Sequence, residues 1–161
     1  MLALDATLIG KIVLAGLLGG FVGAERDFYG RPAGVRTNLI IAVSSCLFTI
    51  LSAEAFEHMA GYDPSRIASQ IVTGVGFLGA GALIQNKDRI IGLTTAADIW
   101  LVAAIGMAVG AGMYGLAVFA ALFTVLVLIG LGPLSHRIAH EGRRLREKES
   151  AGKRRMVNAK R

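Results

Sequence analysis

The chain has the length of one ordinary domain, 161 residues, but 54% of it is hydrophobic, only 17% is charged and the mean hydropathy is +0.60. That balance excludes a soluble globule of this size, which needs charged faces throughout, and points to lipid as the solvent. The formal net charge of +6 would suggest nucleic acid in a soluble protein. Here almost all of it follows the last apolar stretch, where it reads as an orientation signal and an anionic-lipid contact, and no nucleic-acid partner is expected.

Residues 1–5 lack the basic start of a cleaved signal peptide and no cleavage site is evident around Gly23, so the first apolar segment is expected to stay as a helix. Five stretches approach the roughly 17–25 residues that cross a bilayer: 8–24, 35–53, 67–84, 93–110 and 113–131. Connectors fall at 25–34, 54–66 and 85–92, with a short turn at 110–112 and a tail from 132. The expected fold is therefore all-α, a polytopic membrane protein of about five transmembrane helices, with a membrane domain over 1–132 and a basic cytoplasmic tail over 133–161. Cys46 is the single cysteine, so no internal disulfide forms, and it reads as a buried thiol.

Membrane helices gain little from hydrophobic burial against one another and pack through small residues. The 21 glycines against three prolines supply them. Gly16 with Gly20, Gly19 with Gly23, and Gly106 with Gly110 are each four apart, and Gly74, Gly76, Gly79 and Gly81 form a further series. These faces predict a tight bundle of helices one, three and four, and they also suit a homodimer.

Basic residues concentrate on the cytoplasmic side of membrane proteins. With the N-terminus outside, the inner parts hold Arg26, Arg31, Arg36, Lys87, Arg89 and about ten tail residues, leaving only Lys11 and Arg66 elsewhere. Glu54, Glu57 and Asp63 fall outside. In this topology four polar helix ends converge inward, contributing Glu25 and Arg26, then Arg36, Thr37 and Asn38, then Gly81 to Asn86, and finally Thr94, Thr95 and Asp98. Ionisable groups at membrane depth are costly and mark a candidate polar or ion site.

Two roles fit Asp98. Thr95-x-x-Asp98 matches a capping box, which satisfies free N–H groups at a helix start; a carboxylate one turn inside an apolar segment also suits a cation or a proton. Glu25, Arg26 and Arg36 fit either a loop ion pair with topology signals or part of that site. Gln70, Thr73, Phe77 and Gly81 share one face of helix three, fit for inter-helix hydrogen bonds or a polar path. Trp100 suits an interfacial anchor or packing equally.

In the tail, Leu134, Ile138 and Leu145 recur near helical spacing and predict an amphipathic helix on anionic lipid. His136 and His140 beside Glu141 fit a solvated face better than a metal site, so no metal is assigned. Among the chemical motifs, no nucleophile elbow, phosphate-binding Gly loop or zinc helix motif is present, and the Gly-x-Gly pairs follow no strand. Neither an enzyme nor a cofactor is expected.

These residues resemble the MgtC/SapB family of bacterial inner-membrane proteins. The resemblance rests on Gly19-Gly20-Phe21-Val22-Gly23-Ala24-Glu25-Arg26 and Ala33-Gly34-Val35-Arg36-Thr37. It continues in Gln70-Ile71-Val72-Thr73-Gly74-Val75-Gly76-Phe77-Leu78-Gly79-Ala80-Gly81, then Gly92-Leu93-Thr94-Thr95-Ala96-Ala97, Trp100 and Ala103-Ala104-Ile105-Gly106. It implies a five-helix membrane region, to which some members add a cytoplasmic ACT-like domain. It also implies a role in growth under magnesium limitation, acid adaptation or survival in host cells, with MgtC-type members linked to restraint of the ATP synthase. The expected function is a non-enzymatic regulator acting through another membrane complex such as the ATP synthase. The alternative is a magnesium, cation or proton transporter whose site is built from Asp98, Glu25 and nearby Thr and Asn groups.

Overall fold

The computed structural model describes residues 6–55, 57–58, 61–86 and 89–131. The protein is an all-α polytopic membrane protein, with five helices among the described residues: α1 Ala6–Phe28, α2 Val35–Glu54, α3 Arg66–Gly81, α4 Leu93–Gly110 and α5 Tyr114–Leu131. Helices α1, α2, α4 and α5 are long and apolar enough to cross a membrane. At 16 residues, α3 rises only about 24 Å. By contacts the chain divides into a unit over Met1–Val125 and a second over Leu126–Arg161. The second is described only for its first six residues, the end of α5. The tail, with the expected lipid-binding helix and His136, His140 and Glu141, lies outside the described residues.

Helix α2 is the centre of the first unit, packing against α1, α3 and α4. The bundle expected from helices one, three and four is corrected accordingly, for a steric reason. The inward stripe of α2 is small and polar, with Asn38, Ala42, Ser45, Cys46 and Thr49 all buried, and glycines from two neighbours close onto it. A Cβ on Gly19 would stand 2.6 Å from Ala42 Cβ, and one on Gly23 2.6 Å from Val35 Cα. From the other side a Cβ on Gly106 would stand 2.2 Å from the Ala42 carbonyl oxygen, and one on Gly110 2.8 Å from that of Cys46. Gly16 and Gly20 meet Val43 and Leu39 at looser distances, and Gly79 lies near Ala96. Gly74, Gly76 and Gly81 have open space where a Cβ would be, so the packing expected of them is not formed among the described residues. Gln70, Thr73 and Phe77 are exposed on the same helix, Trp100 is exposed on α4, and Cys46 is a buried free thiol.

Helix ends are tied by partners distant in sequence. Helix α1 stops in a Schellman turn: Gly30 takes a left-handed φ of 62°, Arg31 N donates to Arg26 O and Gly30 N to Asp27 O. Asp27 then caps α2 by accepting from Val35 N at 2.9 Å. Helix α3 begins without a cap from Ser65. Ser52 of α2 replaces it, its Oγ accepting from Ile67 N and Ala68 N at 3.2 Å each and donating to Pro64 O at 2.7 Å. Ser52→Ala should lower stability by about 1–2 kcal/mol, as loss of a cap does, read as a fall in thermal midpoint in detergent; an unchanged midpoint would show that water serves the α3 terminus equally well.

Helix three was expected to run to residue 84, but it ends at Gly81. Two short antiparallel strands follow, β1 Ile84–Asn86 and β2 Arg89–Ile91, pairing Ile84 with Ile91 and Gln85 with Ile90. Three isoleucines within these six positions favour strand over helix. Gly92 then turns the chain into α4 at a left-handed φ of 97°, where a Cβ would collide with the Ala82 carbonyl oxygen at 2.1 Å.

Candidate functional site

The polar groups of α1, α2 and α4 meet at the end where α1 finishes and α4 begins. Arg26 is the largest fully buried side chain of the described residues. Its Nη2 donates to Thr95 Oγ1 at 2.6 Å, Nη2 and Nε donate to the Pro32 carbonyl at 3.1 and 3.3 Å, and Nε stands 3.7 Å from Asp98 Oδ2. Asn38 Nδ2 donates to Asp98 Oδ2 at 3.1 Å and to the Ala33 carbonyl at 2.8 Å. Helices α1 and α2 thus supply one member each, Arg26 and Asn38, and α4 supplies two, Thr95 and Asp98, to a network centred on Arg26 and Asp98. Both charges are out of solvent, with side chains 1% exposed.

The capping-box reading of Thr95 and Asp98 is overturned. Helix α4 has Gly92 at its N-cap and no side-chain cap. That places Thr95 and Asp98 inside the first and second turns, where they face α1 and α2 instead of reaching back to free N–H groups. The driving force is charge: an aspartate in an apolar helix is strongly penalised unless paired, and Arg26 lies opposite.

Of the other residues singled out by sequence, Glu25 is buried and precedes Arg26 on α1. Arg36, Thr37 and Thr94 are exposed and stand apart from the network. The Pro32 and Ala33 carbonyls were not foreseen. Their presentation depends on the turn after α1, in which Ala33 adopts a positive φ of 60°, and no side-chain pattern announces a backbone acceptor.

Among the described residues, five buried side-chain atoms have no hydrogen-bond partner: both oxygens of Glu25, Arg26 Nη1, Asn38 Oδ1 and Asp98 Oδ1. Such atoms are expensive unless water or an ion serves them. Asp98 is paired with Arg26, whereas Glu25 forms no ion pair among the described residues, so its carboxylate is a formal negative charge left to balance. Among the described residues no group of three His, Cys, Asp or Glu side chains is placed to hold a metal ion.

A second polar knot ties the opposite end. Lys11 Nζ donates to the Gly110 carbonyl at 3.1 Å, a cation at the end of α4 where the helix dipole favours one, and stands 3.7 Å from Glu54 at the end of α2. One basic residue of α1 thus gathers α2 and α4 at each end, Arg26 at one and Lys11 at the other. The count of basic residues in the sequence places Lys11 outside the cytoplasmic set and assigns it no contact. A groove of about 350 Å³ between α2 and α3, lined among others by Ile40, Phe48, Ile71, Gly74 and Leu78, is apolar and separate from both knots.

The MgtC family model matches residues 12–137. The chain is 44% identical over 143 residues to the Escherichia coli K12 protein named "Putative magnesium transporter YhiD", covering 86% of this chain and 66% of that protein. It is 41% identical over 136 residues to protein SapB of Bacillus subtilis, covering 81% and 58% respectively. It is 42% identical over 118 residues to protein MgtC of Brucella abortus, covering 73% and 48%. This chain thus spans between about half and two thirds of those relatives' lengths. No solved structure matches it. The family match takes in most of α1, all of α2 to α5 and the Arg26–Asp98 network between them, and on that ground the chain belongs to the MgtC family.

Proposed function

We propose that this chain is a non-enzymatic regulator in magnesium-related physiology, acting through contact with another complex in the same membrane, with its polar network serving as an internal lock. The observation that carries this reading is that Asp98 is already answered from within the bundle, by Arg26 and Asn38. A carboxylate held by a buried guanidinium is a poor landing site for a dehydrated divalent cation, which prefers several free oxygen ligands. The magnesium connection is supported by the family and by the name of the E. coli relative. We also read the Arg26 end as cytoplasmic and the N-terminus as external, in a bacterial inner membrane, because Arg26, Arg31 and Arg36 cluster there and about ten further basic residues follow α5. The tail then faces anionic lipid on the same side.

One observation favours transport as the second reading. Glu25, Asn38 and Asp98 offer buried oxygens without partners among the described residues, where the Glu25 carboxylate also lacks a countercharge; a proton or a hydrated cation would supply it. The two readings separate in purified protein. Proteoliposomes holding this chain alone should show no magnesium or proton flux above empty vesicles, while a tagged chain in native membranes should recover a stoichiometric membrane partner. Flux from the chain alone that vanishes in Asp98→Asn would overturn the regulator reading and establish the transporter.

A further inference from the structure

The strands between α3 and α4 expose apolar side chains that water would not tolerate and that no described part of the chain covers. Ile84 is 62% exposed, Ile90 58%, Ile91 53% and Leu93 60%. Ile84 and Ile91 are cross-strand partners on one face, and Ile90, opposite Gln85, lies on the other. Each face therefore carries at least one exposed isoleucine. Two strands of three residues each are at best marginal in water by themselves, so something must hold this hairpin.

The length of α3 says what. Its 16 residues span about 24 Å, roughly 6 Å less than a bilayer's hydrocarbon core. The chain leaves α3 still within reach of the acyl chains, and the isoleucines of the hairpin come next. The hairpin cannot enter the core, because each short strand turns one backbone edge outward and unpaired N–H and C=O groups are excluded from hydrocarbon. The headgroup and acyl boundary satisfies both demands, wetting the backbone edges while taking up the side chains. At the same end, Phe28 and Tyr29 pack edge to face with centroids 5.1 Å apart, 82% and 50% exposed, and Arg31 lies over the Tyr29 ring at 5.8 Å. Aromatic side chains of this kind mark the membrane interface.

We propose that the strand pair β1–β2 is a membrane-interface anchor, seated in the lipid interface at the Arg26 end, where it completes the short α3 and fixes the depth of the α4 N-terminus. What covers its exposed isoleucines is phospholipid. The surface is continuous with the lipid-facing sides of α3 and α4, which carry Phe77, Leu78 and Trp100 exposed in the same way. Gly92, locked in its left-handed turn against Ala82, links the hairpin directly to the helix bearing Thr95 and Asp98.

The test uses the full chain reconstituted alone in phosphatidylcholine and phosphatidylglycerol nanodiscs. Trp100 is the single tryptophan, so Trp100→Phe provides a silent background, and Ile90→Trp or Ile84→Trp then reports on the hairpin. Either reporter should emit blue-shifted. Lipids brominated near the top of the acyl chain should quench it at least about 2-fold, more than lipids brominated near the chain end, as an anchor seated some 5–10 Å deep requires. Emission typical of water with no bromolipid quenching, at both positions in monodisperse protein, overturns the proposal. Shielding seen in native membranes but absent in lipid-only nanodiscs also overturns it, since it would mean that a protein covers the hairpin.

Discussion

Removing either member of the Arg26–Asp98 pair should be among the most damaging single changes in the chain, lowering stability by about 3–5 kcal/mol, the range for an uncompensated buried charge. Asp98→Ala should cost more than Arg26→Ala. It strands a guanidinium that cannot lose its charge, whereas a stranded carboxylate can take up a proton. The double variant Arg26→Met with Asp98→Leu should recover most of the loss, because two apolar side chains of similar reach need no partners. The measurement is unfolding of purified protein in mild detergent, by thermal midpoint or denaturant titration. Two single variants within about 1 kcal/mol of the parent would mean that water reaches the site and that the 3.7 Å pair is not an internal lock. The same comparison bears on function. If the double variant folds but no longer recovers the membrane partner, the network has a role beyond holding three helices together.

The second large effect concerns glycine. Gly106→Ala, Gly19→Ala and Gly23→Ala should each cost about 3 kcal/mol or abolish accumulation, because overpacking is resolved only when something moves. The atoms in the way are backbone: the carbonyl oxygens of Ala42 and Asn38, and Val35 Cα. Gly74→Ala, Gly76→Ala and Gly81→Ala should be neutral or stabilising by about 0.5–1 kcal/mol, since alanine is the better helix former wherever space is open. Both sets can be read from expression level and thermal midpoint. A loss at Gly76→Ala as large as that at Gly106→Ala would show that a further helix, from a partner or a second copy of this chain, closes on α3 in the membrane.

Both sets are glycines on apolar helices and they differ in consequence, and this sets the limit of what sequence could tell. Glycines four apart identify a surface on which helices can approach closely, and Gly16, Gly19, Gly20, Gly23, Gly106 and Gly110 lie on such surfaces. The motif carries no address. Which helix each face meets depends on the partner's own small residues, and the stripe from Asn38 to Thr49 made α2 the centre. The α3 series, with its glycines two and three residues apart, meets nothing of the kind at three of its four positions.

What the sequence determined by itself was the solvent, the number of helices and the end at which polar groups gather, because each depends on composition or local order along the chain. Apolar runs of bilayer length, interrupted by charged connectors, leave few other arrangements. Thr95 and Asp98 show what it could not determine. Their spacing satisfies the capping-box pattern as well as it satisfies a buried pair, and only the position of α1 decided between the two by bringing Arg26 within 2.6 Å of Thr95. Ser52 capping a helix 14 residues further on, Lys11 closing the far end of α4 and the Pro32 carbonyl beneath Arg26 are likewise contacts of the folded chain. Hydrophobic periodicity is a property of one element, whereas a cap, an ion pair or a close glycine contact belongs to two, and its energy exists only once packing has brought them together.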